Sequence, residues 1–211
     1  KGKEPKWKDE YIPLMKEHDV PDWYIKSCEK IKYMFPKAHA AAYVTNAFRI
    51  AWFKVHIPLA YYAAYYSIRA KAFDASCMIF GKEKVKNKMK EIEMKNQKKE
   101  ATKAELDMYD DLEIVLEMYE RGFEFLPVDL YESEATKFKV QDNKLRPPLN
   151  SIPGFGSVAA QGIVEARKDG KFMSIDDLKI RAKIGASGAD LLKEFGCLEG
   201  MSQSNQLSLF G

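Results

Sequence analysis

Cysteine and histidine are scarce in this 211-residue sequence, which contains three of each. Cys28, Cys77 and Cys197 lie far apart, and none of them belongs to a CxxC pair. The sequence therefore predicts neither a cysteine zinc site nor a disulfide framework, and it favours a reducing compartment. It also contains no secretory signal pattern and no apolar run of membrane length. We expect a cytoplasmic protein with no membrane partner.

The composition is typical of a folded chain of one or two domains, with 46% hydrophobic and 31% charged residues. The net charge is +3, and residues 136–200 account for it with 11 Lys and Arg against 8 Asp and Glu. Residues 81–103 carry nine Lys against four Glu. This lysine-rich run fits either a DNA-facing edge or a solvated helix face.

Hydrophobic periodicity predicts a mainly α-helical chain with a few short strands. Strand-like alternation occurs at 124–128 and at 136–140, and Asp142-Asn143 predicts a turn. The predicted helices span 23–34, 39–55, 58–70, 72–78, 85–99 and 103–121, with two helical hairpins at 152–167 and 174–196.

Pro147-Pro148 predicts a domain boundary. We therefore expect a helical domain over residues 1–146, a pair of helical hairpins over 147–201, and a flexible tail over 202–211.

The most informative segment is Ile152-Pro153-Gly154-Phe155-Gly156-Ser157. Its two glycines allow a sharp turn and the close approach of another chain. Phe155 can fill the core under the turn, and Ser157 can cap the helix that follows. Unobstructed N–H groups at a helix N-terminus suit a nucleic-acid phosphate. The segment predicts the hairpin and second helix of a helix-hairpin-helix, although an ordinary glycine turn is the alternative.

A second, degenerate hairpin follows at Lys183-Ile184-Gly185-Ala186-Ser187-Gly188, and its alignment to the first is ambiguous. Helix-hairpin-helix units commonly occur in pairs that hold duplex backbone without reading sequence. A purely structural turn is the alternative for this segment. The residues expected to pack the pair together are Leu178, Leu191, Leu192 and Phe195. The candidate DNA-binding residues of both hairpins are Gly154, Phe155, Gly156, Ser157, Lys168, Lys171, Lys183, Gly185 and Ser187.

Near the N-terminus, Pro36 separates two predicted helices, and Lys37 and His39 stand at the start of the second. A cation and a hydrogen-bond donor at a helix start can form a phosphate pocket. Three alanines at 40–42 leave a flat helix surface behind them. A capping or surface histidine is the alternative interpretation.

The segment MFPKAHAAAYVTNAFRIAWFKVH, at Met34–His56, resembles the fingers domain of the bacterial family C replicative DNA polymerases, most closely those of the PolC type. The resemblance continues in the same order through 24–32, 121–131, 152–167 and the QLSLF segment at 206–210. It implies the C-terminal portion of a DNA polymerase several times longer than this chain.

The resemblance implies addition of a dNTP to a primer 3′ end with Mg²⁺ ions held by palm aspartates. No acidic cluster of that kind occurs here. Asp110-Asp111 and Asp176-Asp177 are interpreted as helix caps or exposed acids. We therefore assign this chain no catalytic residue and no metal ligand.

The resemblance also implies partners: primer–template duplex DNA, the incoming dNTP, the β sliding clamp and the remainder of the polymerase chain. It places Lys37, His39, Tyr43 and Arg49 near the nucleotide. It assigns clamp binding to Gln206, Leu207, Leu209 and Phe210.

Two other functions remain open at this stage. One is a non-catalytic helix-hairpin-helix DNA-binding module of a repair or scaffold protein. The other is a base-excision glycosylase, whose hairpin is usually followed by a Gly-Pro-Asp segment with a catalytic Asp. This sequence has no Gly-Pro-Asp.

Overall fold

The computed structural model describes residues 6–30 and 36–204. The chain divides into two compact units, with the boundary between Trp52 and Phe53. The described residues are mainly helical, as predicted, with one two-stranded sheet. The α-helices are α1 (Ile12–Glu17), α2 (Asp22–Lys30), α3 (Lys37–His56), α4 (Pro58–Ile68), α5 (Ala75–Met78), α6 (Lys82–Gln97), α7 (Lys103–Glu120), α8 (Ser157–Ala166), α9 (Ile175–Ala182) and α10 (Ala186–Glu194). The strands are β1 (Lys139–Gln141) and β2 (Lys144–Arg146), a π-helical turn spans Trp7–Tyr11, and 3₁₀ turns span Leu149–Ser151 and Arg167–Asp169.

The first unit has a small core in which Trp7, Ile25 and Cys28 are buried. Trp7 lies in the π-helical turn, which continues directly into α1. The sequence did not predict either element, since their few apolar residues do not establish a period. Helix α2 begins after Pro21, as predicted, and contributes the other two core residues.

Helix α3 is nearly the predicted one, beginning at Lys37 directly after Pro36. The carbonyl of Pro36 accepts a hydrogen bond from the N–H of Ala40 at 3.1 Å and so completes the first turn. None of the residues of α3 is buried, although Tyr43 and Phe48 have apolar rings. Their side chains are 68% and 72% exposed. A helix that carries large apolar side chains is usually covered by other protein.

One hydrophobic cluster of the second unit is built around α4, α6 and α7. Tyr62 of α4 and Val85 of α6 are fully buried there, together with Leu112 and Val115 of α7. The helices predicted at 85–99 and 103–121 are thus present, and Gly122, with φ +82°, follows the end of α7. A capping box between Thr102 and Glu105 begins α7.

Part of the lysine-rich run is a salt-bridged helix surface. Lys82 and Lys86 of α6 each lie 3.3 Å from a carboxylate oxygen of Glu120. Lys95 lies 2.6 Å from Glu105 at the start of α7. These exposed pairs each contribute little to stability, but they tie α6 to α7 along the surface.

The interpretation of Asp111 as a cap or an exposed acid was wrong. Asp111 lies within α7 and is buried. Its Oδ2 accepts hydrogen bonds from the backbone N–H groups of Lys71 at 2.9 Å and Ala72 at 2.8 Å. Burial raises the pKa of this carboxyl, and the two N–H groups oppose the rise. Asp111 therefore secures the segment that follows α4.

Strands β1 and β2 form the predicted short hairpin, with Val140 opposite Leu145. Asp142 and Asn143 both have positive φ, 50° and 57°, which is the backbone of a tight two-residue turn. Residues 124–128 do not form a named strand. Phe125 instead makes an isolated bridge to Leu145.

The other cluster of the second unit contains both predicted hairpins. Phe155, Ile163, Leu178 and Leu192 are buried in it together with Leu130, which precedes the predicted boundary at 146/147. Leu191 and Phe195 pack against the same cluster, as the sequence predicted for the residues joining the pair. The boundary at 146/147 stays a prediction.

Candidate nucleic-acid interface

The first hairpin adopts the expected glycine turn. Gly154 has φ +80°, a conformation that favours glycine, and the N–H of Phe155 donates to the carbonyl of Ile152 at 2.9 Å. The side chain of Phe155 is buried, so it fills the core as predicted and lies away from the surface. Its contribution to a DNA site is therefore to hold the turn.

Gly156, and not Ser157, is the N-cap of α8. Ser157 is the first residue of the helix, and its Oγ accepts a hydrogen bond from Nδ2 of Asn150 at 3.2 Å. The predicted capping role of Ser157 was wrong because the chain enters the helix one residue earlier. Within the described residues no side chain caps α8.

The backbone at Gly156, in front of α8, is not covered by a neighbouring side chain. The carbonyl of Gly156 accepts a hydrogen bond from the N–H of Ala160 at 3.0 Å. The N–H groups before Ala160 belong to the first turn of α8, where N–H groups have no acceptor inside the helix. A Cβ placed on Gly156 would meet no described atom within 4 Å. These N–H groups and the helix dipole together suit a phosphate.

The structure resolves the alignment of the second hairpin. Lys183 has φ +54° and takes the place of Gly154, Ile184 is buried like Phe155, and Gly185 caps α10 as Gly156 caps α8. The two hairpins are therefore related by a shift of 29 residues. The same shift relates the buried pairs Ala160 with Ala189 and Ile163 with Leu192.

Helices α8 and α9 pack very closely against each other, and this contact joins the two hairpins. A Cβ added to Gly162 of α8 would lie 2.4 Å from the carbonyl oxygen of Ala182, the last residue of α9. Only glycine permits this distance. Because Lys183 follows Ala182 directly, the contact fixes the second hairpin relative to α8.

Arg167 and Arg181, which were counted among the positive charges of residues 136–200, form hydrogen bonds within the fold. Arg181 donates to the carbonyls of Ala166 and Gly170 at 2.5 and 3.0 Å. Arg167 donates to the carbonyls of Leu130 and Ser133 at 3.1 and 2.7 Å. Sequence patterns gave no sign of these roles, since the acceptors are distant backbone groups.

The candidate lysines differ in their surroundings. Lys168 lies 2.6 Å from Glu165 in an exposed ion pair. Lys171 and Lys183 are also exposed. Ser187, the other candidate of the second hairpin, is exposed in the first turn of α10.

The predicted nucleotide-binding residues all lie on α3 in the first unit, whereas both hairpins lie in the second. The rings of His39 and Tyr43, one helical turn apart, have centroids 4.5 Å apart. Lys37 precedes His39 by two positions, and such positions lie on different sides of a helix. Arg49 lies further along α3.

The described residues contain no group of three His, Cys, Asp or Glu side chains that could hold a metal ion. They therefore do not fit a Mg²⁺ site, and no reaction step is assigned to a metal here. Gln206, Leu207, Leu209 and Phe210 lie outside the described residues. Among the helices of residues 6–30 and 36–204, none has both the length and the apolar character needed to cross a membrane.

Comparison with known proteins agrees with the hairpin assignment. Residues 122–207 match a family described as "Helix-hairpin-helix motif". This range contains both hairpins and the β1–β2 hairpin before them.

Nearly the whole chain is similar to proteins named DNA polymerase III PolC-type. The Oceanobacillus iheyensis protein is 53% identical over 203 residues, 96% of this chain. The Clostridium perfringens and Halalkalibacterium halodurans proteins are 51% and 52% identical, each over 100% of this chain. The chain spans only 14% of the length of each of these curated relatives.

Proposed function

We propose that this chain is a segment of a PolC-type bacterial replicative DNA polymerase. The observation that carries the proposal is the identity of about half of the residues, over 95% or more of the chain, with several PolC-type proteins. A separate DNA-binding module or a glycosylase would account for the match at 122–207, but not for the similarity of the residues before it.

In this function the segment works on DNA in the cytoplasm together with the remainder of the polymerase, which would supply the palm carboxylates and their Mg²⁺. The hairpins hold the primer–template duplex, α3 forms one wall of the dNTP pocket, and Gln206–Phe210 binds the sliding clamp. The exposed apolar rings of α3 support its association with the remainder of the polymerase, because such a helix is usually covered by other protein.

The geometry of the hairpins supports a grip on the duplex backbone. Each hairpin ends in a glycine N-cap, with an exposed first turn beyond it. Backbone N–H groups bind phosphates irrespective of base sequence, as a polymerase that copies any template requires.

A leucine at Gly156 tests the hairpin. Gly156 has φ −72°, and a Cβ there meets nothing within 4 Å, so the fold accepts a side chain that stands in front of the first turn of α8. We expect Gly156→Leu to weaken duplex binding at least tenfold, equally for unrelated sequences, because an N–H bond to a charged group contributes about 1.5–3 kcal/mol. Fluorescence anisotropy with several duplexes measures this.

The thermal unfolding midpoint of Gly156→Leu serves as the control for folding. Wild-type affinity should also fall steeply as salt rises, because duplex binding releases counterions. A strong sequence preference, or wild-type binding that salt leaves unchanged, would contradict the proposed grip.

Lys37 tests the nucleotide pocket. In the full-length polymerase, we expect Lys37→Ala to raise the KM for dNTP about tenfold, because one charge-assisted hydrogen bond contributes roughly 1.5–3 kcal/mol. Duplex affinity should change much less. Steady-state primer extension over a range of dNTP concentrations measures the effect.

Lys26→Ala is the matched control, since Lys26 is an exposed lysine of α2 in the same unit. Lys37→Arg keeps the positive charge, so its KM for dNTP should rise less than that of Lys37→Ala. An unchanged KM for Lys37→Ala would remove Lys37 from the site.

A further inference from the structure

Helices α3 and α4 meet at a break that lacks a backbone hydrogen bond. Only Ile57 separates the two helices, and its φ of −136° and ψ of 61° are not helical. In a continuous helix the carbonyl of Lys54 would accept the N–H of the residue four positions later. That residue is Pro58, which has no N–H. The carbonyl of Lys54 is therefore left without a backbone donor in the helix.

Arg121, at the end of α7, supplies the missing donor. Its Nη2 donates to the carbonyl of Lys54 at 2.9 Å, and its Nη1 donates to the hydroxyl of Tyr62 at 3.0 Å. Lys54 lies before the break and Tyr62 lies after it, so one guanidinium joins α3 to α4. All of these contacts lie within the second unit, which begins at Phe53.

The groups around this bridge hold the guanidinium in one place. Tyr62 is fully buried, and burial raises its pKa to about 12, so its hydroxyl is neutral at neutral pH. The guanidinium of Arg121 lies 5.6 Å from the centre of the Phe123 ring. Glu117 of α7 forms an ion pair with Lys54, and its Oε1 lies 3.8 Å from Nη1 of Arg121. The end of α3 is thus held by two residues of the α7 segment.

The bridge matters for α3 because of the residues that this helix carries. Helix α3 runs without interruption from Lys37 to His56, and Lys54 lies in its last turn. The predicted nucleotide-binding residues from Lys37 to Arg49 lie on the same helix. A rigid helix carries a displacement of its end to the side chains along its length. Loss of the bridge would leave the dihedral angles at Ile57 free to change, and α3 would move with them.

We propose that Arg121 is a positioning residue for the incoming nucleotide, because it fixes the junction of α3 and α4 and so places the side chains of α3 that face the dNTP. This inference rests on the proposed function of α3 as one wall of the dNTP pocket. Arg121 acts through the backbone of Lys54 and through Tyr62. It is assigned no contact with the nucleotide itself.

Arg121→Lys in the full-length polymerase tests the inference. Lysine keeps a positive charge near Glu117, but its ammonium lacks the planar fork that serves both acceptors. We expect the KM for dNTP to rise about tenfold, because groups that are misplaced by a fraction of an ångström hold a substrate poorly. The kcat should change less, and duplex affinity should not change, because the hairpins are unaltered. Steady-state primer extension and fluorescence anisotropy measure these values.

Hydrogen–deuterium exchange gives a readout that needs no dNTP. In Arg121→Lys we expect faster exchange of the amides in the last turn of α3 and the first turn of α4, because local opening there becomes easier. Tyr62→Phe removes one of the two acceptors and keeps the buried ring. It should therefore raise both the exchange rate and the KM for dNTP by less than Arg121→Lys does.

Arg69→Lys is the matched control. Arg69 is exposed and is the C-cap residue of α4, as Arg121 is the C-cap residue of α7. Both substitutions exchange the same side chains at the end of a helix of the second unit. Arg69→Lys should match the wild type in KM, in duplex affinity and in the amide exchange of α3.

The outcomes separate this inference from the function on which it rests. If Lys37→Ala raises the KM for dNTP and Arg121→Lys does not, the positioning role is wrong. It is also wrong if exchange at the end of α3 is unchanged, if Arg69→Lys has the same effects, or if duplex affinity falls as much as KM rises. If exchange rises in Arg121→Lys while neither Lys37→Ala nor Arg121→Lys alters KM, the proposed nucleotide wall fails instead.

Discussion

Replacing Gly162 with alanine is expected to lower the free energy of unfolding by about 1–3 kcal/mol, the usual cost of forcing extra atoms into a packed site. The added methyl would lie 2.4 Å from the carbonyl oxygen of Ala182, and both groups belong to packed helices, so one helix must move. The movement displaces Lys183, the residue next to Ala182. We therefore expect duplex affinity to fall as well, even where the variant remains folded.

Urea unfolding of the chain measures the loss, and Gly185→Ala is the control for stability. Gly185 has φ −77°, and a Cβ there meets no described atom within 4 Å. Its substitution should cost no more than the loss of a glycine N-cap, about 1 kcal/mol. A Gly162→Ala variant with the wild-type urea midpoint would show that α8 and α9 separate without cost.

The first hairpin was predictable because its signals are local. Two glycines, an aromatic residue between them and a following helix specify the turn and its core contact. The N-cap was misplaced by one residue because Ser157 is a better cap than Gly156 by propensity alone. In the structure the chain is already helical at Ser157, so Gly156 is the N-cap.

The second hairpin could not be aligned because its turn breaks the local rule. A sequence pattern searches for glycine where the backbone is left-handed, and Lys183 occupies that position. The register became visible only in the structure, where Lys183 and Gly154 share a positive φ and the buried Ile184 and Leu192 match Phe155 and Ile163. Long-range packing, and not turn propensity, specifies this hairpin.

Buried polar contacts were the least predictable feature. Asp111 accepts N–H groups 39 and 40 residues away, and Arg167 donates to carbonyls more than 30 residues earlier. No sequence window contains both partners of such bonds. The charge count of residues 136–200 therefore gave no sign that Arg167 and Arg181 hold the backbone of the second unit in place.

The segment before the QLSLF motif is tied to the hairpin unit. The carbonyls of Ser202 and Gln203 accept the N–H groups of Ile175 and Asp176, at 2.9 and 3.1 Å, at the start of α9. Only two residues, Ser204 and Asn205, separate this attachment from Gln206. A short connection gives a bound peptide a high effective concentration relative to the duplex site.

Deleting Gln206–Phe210 from the full-length polymerase is expected to abolish clamp binding and clamp-dependent processive synthesis. In the proposed mode Gln206 hydrogen-bonds at the rim of the clamp pocket, Leu207 and Leu209 lie along its groove, and Phe210 fills its apolar end. Burial of one aromatic and one leucine side chain contributes a few kcal/mol in all, at roughly 1.5–3 kcal/mol for each fully buried side chain. That energy fits a reversible tether that gains strength from simultaneous DNA contact.

The double substitution of Leu209 and Phe210 by alanine should have the same effect as the deletion, whereas Ser208→Ala, at a position with no assigned contact, should behave as the wild type. Product length on a long primed template with the clamp loaded measures processivity. Distributive extension of a short primer without the clamp measures the chemistry, which should remain nearly intact because no hairpin or α3 residue is altered. A truncated polymerase that is still fully processive with the clamp at physiological salt would show that the clamp is bound by another part of the protein.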